Sequence, residues 1–301
     1  LPRNFHLSST PSHLFKMSTS SSSPEYQKYK NFVVSAPSAG VAHVEINRPK
    51  KLNAFARDVW LEFGQVFEQL SADSDVRAVV LSGAGDKAFT AGLDVVDSSG
   101  MFEQKGLSRD VARRAKALRA TIEEFQVCVG AMEKCEKPVI CVLHGVSFGL
   151  AIDIATCADI RICAANTRFS VKEVDIGIAA DVGTLARLPK VVGSTSWVKD
   201  VCMSAREFSA QEALSVGFVS AVHEDKGKAV EAGLAMAARL SEKSPVAVQG
   251  TKELLNYGRD HGTVDSLRYT TIWNSANVQS EDFQKALLSG LKRTKPTFEK
   301  L

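Results

Sequence analysis

One stretch constrains the fold of this chain more than any other. From Pro138 to Pro189 it reads PVICVLHGVSFGLAIDIATCADIRICAANTRFSVKEVDIGIAADVGTLARLP. Its opening residues are apolar and mostly β-branched, which predicts a buried strand. The turn HGVSFG follows, bounded by Gly145 and Gly149. LAIDIATC then runs into a helix with Asp153 in its first turn, and IRICA is a second short apolar run. Beyond it, Glu173 and Asp181 stand among Val, Ile, Gly and Ala. Carboxylates in apolar company are costly to keep as ions. Proton-transfer chemistry accounts for three of them together, because desolvation and like charges raise carboxyl pKa values. GIAADVG, around Asp181, holds no cation, so a buried functional carboxyl is expected there rather than a salt bridge.

The rest of the chain extends this pattern. VAHVEI alternates, with Ala42, Val44 and Ile46 on one face of a strand. A helix is predicted after Asn53, where Val59, Phe63, Val66, Phe67 and Leu70 recur at helical spacing. VRAVVLS, 76–82, reads as a second buried strand, and GAGDKAFTAGLD, 83–94, as a long glycine-rich loop of the functional kind. Val111, Ala115, Leu118, Ile122, Phe125, Val129 and Met132 mark a long amphipathic helix with Ser108 as its expected cap. Beyond Pro189 the apolar stripes are helical, interrupted by one short strand in FVSAVH, 218–223. The expected class is therefore α/β with a helical C-terminal section. The expected segments are a leader at 1–28, a core at 29–223 and a helical section at 224–301.

Composition narrows the function. A net charge of +3, evenly spread, offers no footprint for nucleic acid or a membrane surface. No apolar run approaches the roughly 20 residues that span a bilayer. The six cysteines form no CxxC pair and read as reduced, buried thiols of an intracellular protein. No histidine spacing matches a metal site, so no metal is expected. The leader LPRNFHLSSTPSHLFK is basic and acid-free, like an organellar transit peptide. Glu299-Lys300-Leu301 resembles a peroxisomal address with Glu in place of its small residue. Mitochondrion and peroxisome are both expected locations.

Two glycine motifs deserve weighing. In FTAGLD, Gly92 has no Cβ, which lets backbone N–H groups approach a ligand closely. Gly145-Val146-Ser147-Phe148-Gly149 matches G-x-S-x-G between a strand and a helix, the setting of a hydrolase nucleophile. A hydrolase would also need a downstream histidine, and only His223 and His261 are available.

In combination, NRPKKLNAF, AFTAGLD, KPVICVLHGVSFGLAIDIATCADIRICA and FSVKEVDIGIAADVGTLARLPKVVG resemble the enoyl-CoA hydratase/isomerase (crotonase) superfamily from about Tyr29 to the C-terminus. The resemblance implies a spiral of ββα turns and C-terminal helices that build a homotrimer or a dimer of trimers. It implies an acyl-CoA thioester as substrate, with no cofactor beyond the coenzyme A of the substrate itself. It places an oxyanion hole at the backbone N–H groups of Ala91 and Leu150. Gly92, Leu93, Asp94, Val95 and Gly149 complete the substrate-binding set. The family usually has three glycines where this chain has Gly149-Leu150-Ala151. The resemblance is strongest to members that shift the double bonds of 3,5-dienoyl-CoA to 2,4-dienoyl-CoA in fatty-acid β-oxidation. Glu173 then serves C2, Asp181 serves C6, and Asp153 orients its neighbours. The competing expectations are a 2-enoyl-CoA hydratase that uses Glu173 with Asp153, and a non-catalytic acyl-CoA-binding protein.

Overall fold

The computed structural model describes residues 24–94 and 110–301. A six-stranded sheet forms its centre. β1 (Phe32–Ser38) and β2 (Val41–Ile46) are an antiparallel pair at one side. β3 (Ala78–Gly83), β5 (Val139–Leu143), β7 (Ile160–Ala164) and β10 (Val222–His223) extend the sheet in parallel, in the order β1-β2-β3-β5-β7-β10. β3 and β5 are buried along their whole length, which explains their unbroken apolar runs.

A second sheet escaped the sequence reading. β4 (Ala88–Thr90) lies inside the expected glycine-rich loop, and β6 (Val146–Phe148) lies inside the expected HGVSFG turn. With β8 (Arg168–Ser170) and β9 (Phe208–Ser209) they form a four-stranded sheet in the order β4-β6-β8-β9. The chain thus places one strand in each sheet per turn, three times over: β3 then β4, β5 then β6, β7 then β8. This is the expected ββα spiral.

Helices fill the intervals. α1 (Arg57–Ala72) packs on α2 (Val111–Lys134), with Trp60 stacked on Phe125 at 4.1 Å between ring centroids. The cap of α2 is Asp110, whose side chain accepts from the Arg113 N–H; Ser108 lies outside the described residues. α3 (Leu150–Cys157), α4 (Thr184–Val191), α5 (Thr195–Ser204) and α6 (Ala210–Ser215) follow. α7 (Lys226–Ser241) lies flush on the large sheet. A Cβ on its Gly233 would stand 2.8 Å from Val142 Cγ2. The expected core boundary at 223 is therefore too early, since α7 covers Val41, Val80, Val142 and Ile162. Order also starts before the expected Tyr29, because Tyr26 is buried and donates its hydroxyl to Asp73 Oδ2 at 2.7 Å.

α8 (Pro245–Asp260), α9 (Thr263–Asn277) and α10 (Glu281–Lys292) complete the helical section. α8 is tied to the core by buried Lys252, whose ammonium donates to Asp159 Oδ2 at 2.8 Å and the Lys137 carbonyl at 3.0 Å. The last residues fold back: Arg77 donates to the Phe298 and Glu299 carbonyls. Among the described residues no helix is long and apolar enough to cross a membrane.

Candidate active site

Two loops meet where the short parallel strands end. β4 and β6 pair with Thr90 opposite Ser147, so residues 91–94 and 149–150 emerge side by side. Ligands bind at such carboxyl ends in open α/β sheets. Gly92 has φ +96°, and a Cβ built on it would stand 3.1 Å from the Phe148 carbonyl oxygen and 3.6 Å from the Leu150 nitrogen. Only glycine permits this approach in this conformation. Gly149, at φ +54° and ψ −114°, then starts α3. The Leu150 N–H is the first of that helix and has no intrahelical acceptor.

Hydrogen bonds decide which loop amide faces outward. The Ala91 N–H donates to the Leu52 carbonyl at 2.9 Å, so the expected donor is consumed inside the protein. The Gly92 N–H donates to Thr90 Oγ1 at 3.1 Å, and the Asp94 N–H to the Phe55 carbonyl at 2.8 Å. Leu93 is left, and its N–H has no acceptor among the described residues. The pair of amides available to a ligand oxygen is therefore Leu93 and Leu150, with Ala91 corrected to Leu93. The sequence signal was Gly92 itself, since a left-handed glycine redirects the peptide that follows it.

The other expected loop residues have inward roles. Asp94 is 7% exposed and faces Arg48 Nη1 and Lys51 Nζ, each at 3.3 Å. It braces the loop instead of presenting its carboxylate to a ligand. Val95 lies outside the described residues. The Leu150 side chain is packed in the core, so its bulk in place of a glycine does not narrow the site.

Glu173 stands at the other side of the oxyanion turn. It opens a short 3₁₀ turn, Glu173–Ile176, just after β8. Its Oε1 lies 3.3 Å from the position of a Cβ on Gly149, so the missing side chain makes room for the carboxyl. Its Oε2 is buried with no hydrogen-bond partner among the described residues. Desolvation, reinforced by the charges of Asp153 and Asp181, pushes its pKa up to about 7.

Asp153 is 1% exposed on α3. Its Oδ1 accepts two hydrogen bonds from Thr184, from N–H at 2.6 Å and from Oγ1 at 2.8 Å. Burial raises its pKa to about 6, with those bonds and the Arg187 charge opposing the rise. Asp153 therefore anchors the start of α4, three residues beyond Asp181.

Asp181 corrects an expectation: it is exposed in the single chain, not buried. Partial desolvation still raises its pKa. Its backbone carbonyl accepts from Gln126 Nε2 at 2.5 Å, which ties the segment to α2. A cavity of about 410 Å³ opens beside it, walled by Gln126, Val182, Leu185, Arg187 and Arg259 among others.

Ser147 is no nucleophile. It is fully buried, and its hydroxyl donates to the His144 carbonyl at 3.4 Å, with no histidine ring hydrogen-bonded to it among the described residues.

Comparison with known proteins gives the family and the fold. A family model described as enoyl-CoA hydratase/isomerase matches residues 36–300. The mitochondrial Delta(3,5)-Delta(2,4)-dienoyl-CoA isomerase of Homo sapiens is 46% identical over 260 residues, 86% of this chain and 78% of the human protein. The peroxisomal enzyme of that name from Arabidopsis thaliana is 38% identical, covering 87% of this chain and 94% of its own. Among solved structures, a putative enoyl-CoA hydratase from Streptomyces coelicolor superposes with TM-score 0.81 at 28% identity, over 95% of this chain and 98% of that one. An enoyl-CoA hydratase from Bacillus anthracis has TM-score 0.81 at 23% identity, over 90% of this chain and 99% of its own, a likeness of fold.

Proposed function

The chain belongs to the enoyl-CoA hydratase/isomerase family, and from that premise we propose that it isomerises 3,5-dienoyl-CoA to 2,4-dienoyl-CoA. The observation that carries this reading is the pairing of two proton-transfer carboxyls, Glu173 and Asp181, with the outward amides of Leu93 and Leu150. The resemblance to enzymes named for that reaction supports it.

The chemistry follows from the substrate. The C2–H of a 3,5-dienoyl thioester is acidic because its anion spreads onto the thioester oxygen. Glu173, beside the amide pair, takes that proton as its carboxylate. The Leu93 and Leu150 N–H groups hold the oxygen where charge develops, a contribution of about 3 kcal/mol or more for each donor of such a hole. The C5=C6 electrons then collect a proton at C6 from Asp181, which moves both double bonds toward the thioester. Asp181 must carry that proton at the start. An acyl chain laid over its exposed carboxyl strips water from it and raises its pKa further in the complex. No metal or redox step enters, and coenzyme A is part of the substrate.

The hydratase alternative needs a second carboxylate to activate water. Asp153 Oδ1 is already committed to Thr184, which weighs against it. The purified protein should be offered 3,5-dienoyl-CoA and 2-enoyl-CoA in parallel. Formation of the conjugated 2,4-dienoyl thioester at a far higher kcat/KM than hydration is the expected result. Preferential hydration would establish the alternative, and binding without either turnover would establish a binding protein.

The chain also acts as a homo-oligomer in this reading, a trimer or a dimer of trimers built on its apolar C-terminal helices. It works in fatty-acid β-oxidation, in the mitochondrion or the peroxisome, the organelles named for the human and Arabidopsis relatives.

A further inference from the structure

We propose that Thr90 is a positioning residue for the oxyanion amide of Leu93, acting through a hydroxyl relay that joins the 52–55 turn to the loop. The inference rests on the oxyanion role of Leu93 argued above.

Thr90 closes β4 and is completely buried. Its hydroxyl donates to the Asn53 carbonyl at 2.8 Å and accepts from the Gly92 N–H at 3.1 Å. Both ends of the relay sit on unusual backbone: Asn53 has φ +56°, Leu52 φ +50° and Gly92 φ +96°. Asn53 is itself fully buried and clamped. Its side chain accepts from the Arg48 N–H at 2.9 Å and donates to the carbonyls of Ala84 at 3.0 Å and Ala88 at 2.9 Å. A rigid turn is therefore transmitted through one hydroxyl to the peptide next to the catalytic amide.

The neighbouring bonds hold the loop at Ala91, at the Gly92 carbonyl and at Asp94, and the Thr90 hydroxyl holds the N–H of the Ala91–Gly92 peptide between them. Ala91 is held by Leu52, and both Gly92 O and Asp94 N–H are held by Phe55. Among the described residues of the loop, 91–94, only the Gly92 N–H is held by a side chain. Without the hydroxyl, a buried N–H and the Asn53 carbonyl lose their partner, and burial makes such a loss expensive. Gly92, with no Cβ, offers little resistance to rotation. Phe55 still holds the Gly92 carbonyl, so the outcome is a small tilt of the peptide that carries the Leu93 N–H, and small misplacements of this kind cost up to about 10²-fold in rate.

The test compares Thr90→Val, nearly isosteric without the hydroxyl, with Thr90→Ser, which keeps it, in the full chain. kcat and KM are measured on 3,5-dienoyl-CoA and on 2-enoyl-CoA, since both reactions build charge on the same thioester oxygen. Affinity for an unreactive saturated acyl-CoA is measured alongside. The expected result is a fall in kcat of about tenfold to a hundredfold for Thr90→Val. KM and saturated acyl-CoA affinity stay within about threefold, and Thr90→Ser recovers most of the rate, because a hole donor acts in the transition state. Should the valine variant not fold, Thr90→Ala carries the same comparison. Wild-type kcat without the hydroxyl overturns the inference. So does a parallel loss of kcat and affinity that serine does not rescue. Hydration in place of isomerisation by the wild type would overturn the isomerase reading while leaving the Thr90 comparison decisive. Turnover of neither substrate would overturn both.

Discussion

Burial acts on Glu173 and Asp153 alike, yet their hydrogen bonds divide their roles. Glu173 keeps a buried oxygen with no partner, which suits a base whose proton must come and go. Its pKa is pushed up to about 7. The base works ionised and Asp181 works protonated, so kcat/KM should follow a bell, falling on the acid side as Glu173 takes up a proton and on the alkaline side as Asp181 loses its own. A profile flat from pH 5 to 8 would remove Glu173 from the role. Asp181→Asn should cost about 10²–10⁴ in isomerisation, the usual size for a lost proton donor, with acyl-CoA affinity nearly unchanged. Near-wild-type turnover of that variant would leave Asp181 without a catalytic role. Asp153 titrates against a different requirement, that of folding. Its folded pKa, about 6, lies above the ordinary carboxyl value of about 3.9, so the unfolded chain releases this proton first. Its contribution to stability is full below pH 4 and is lost as pH rises through 6. Asp153→Asn keeps an oxygen for the two Thr184 bonds without the desolvated charge. It should raise stability at pH 8 by up to about 3 kcal/mol and at pH 5 by about half of that, read from denaturant midpoints at both pH values. An equal gain at both would mean that Asp153 does not titrate in this range.

Elements were legible in proportion to how much of their signal was local. The buried runs of β3 and β5 and the helical spacing of α1 stand out in the sequence because strand and helix periodicity extend over whole segments. β4 and β6 are three residues each, set between glycines, and they exist through pairing with partners far along the chain. Their context reads as turn, so the second sheet was hidden. The oxyanion loop failed in the same way on a finer scale. FTAGLD locates it, but choosing Leu93 over Ala91 needs the Leu52 carbonyl, about forty residues earlier in the chain. Asp181 was misjudged because an apolar neighbourhood in sequence is not burial in space. For α7 a signal was present: Ala229, Gly233 and Ala237 recur every four residues, a stripe of small side chains that lets a helix lie close on a sheet. This makes a prediction at the same scale. Gly233→Leu should destabilise the chain by at least about 1–3 kcal/mol, the range for an overpacked core, because its Cβ alone meets Val142. A shortened chain ending at 223 should fail to fold cooperatively. Wild-type midpoints in either case would detach α7 from the core.

At the scale of the whole molecule, the surface is uneven. α9 and α10 expose Val264, Leu267, Ile272, Phe283, Leu287 and Leu291, each at least half exposed. On α10, Phe283, Leu287 and Leu291 recur every four residues and so share one face. Single exposed apolar residues are ordinary, but a contiguous helical face of them marks an interaction surface. The helix is otherwise well built: Ser280 accepts from the Phe283 N–H at its start, and Arg293 ends it in the left-handed conformation. Nothing in its capping calls for that apolar stripe, which leaves association as the physical reason for it. We expect the chain to assemble in solution to three or six times its own mass of 32.5 kDa. Replacing Leu287 and Leu291 by Asp should lower that mass by light scattering, since burying either carboxylate in an apolar interface costs several kcal/mol. Circular dichroism and the urea midpoint at low concentration should stay close to wild type, because both side chains point away from the chain's own core. A variant that keeps its full mass would show that the face does not mediate assembly. A wild-type chain that runs as a monomer at micromolar concentration would overturn the oligomer itself.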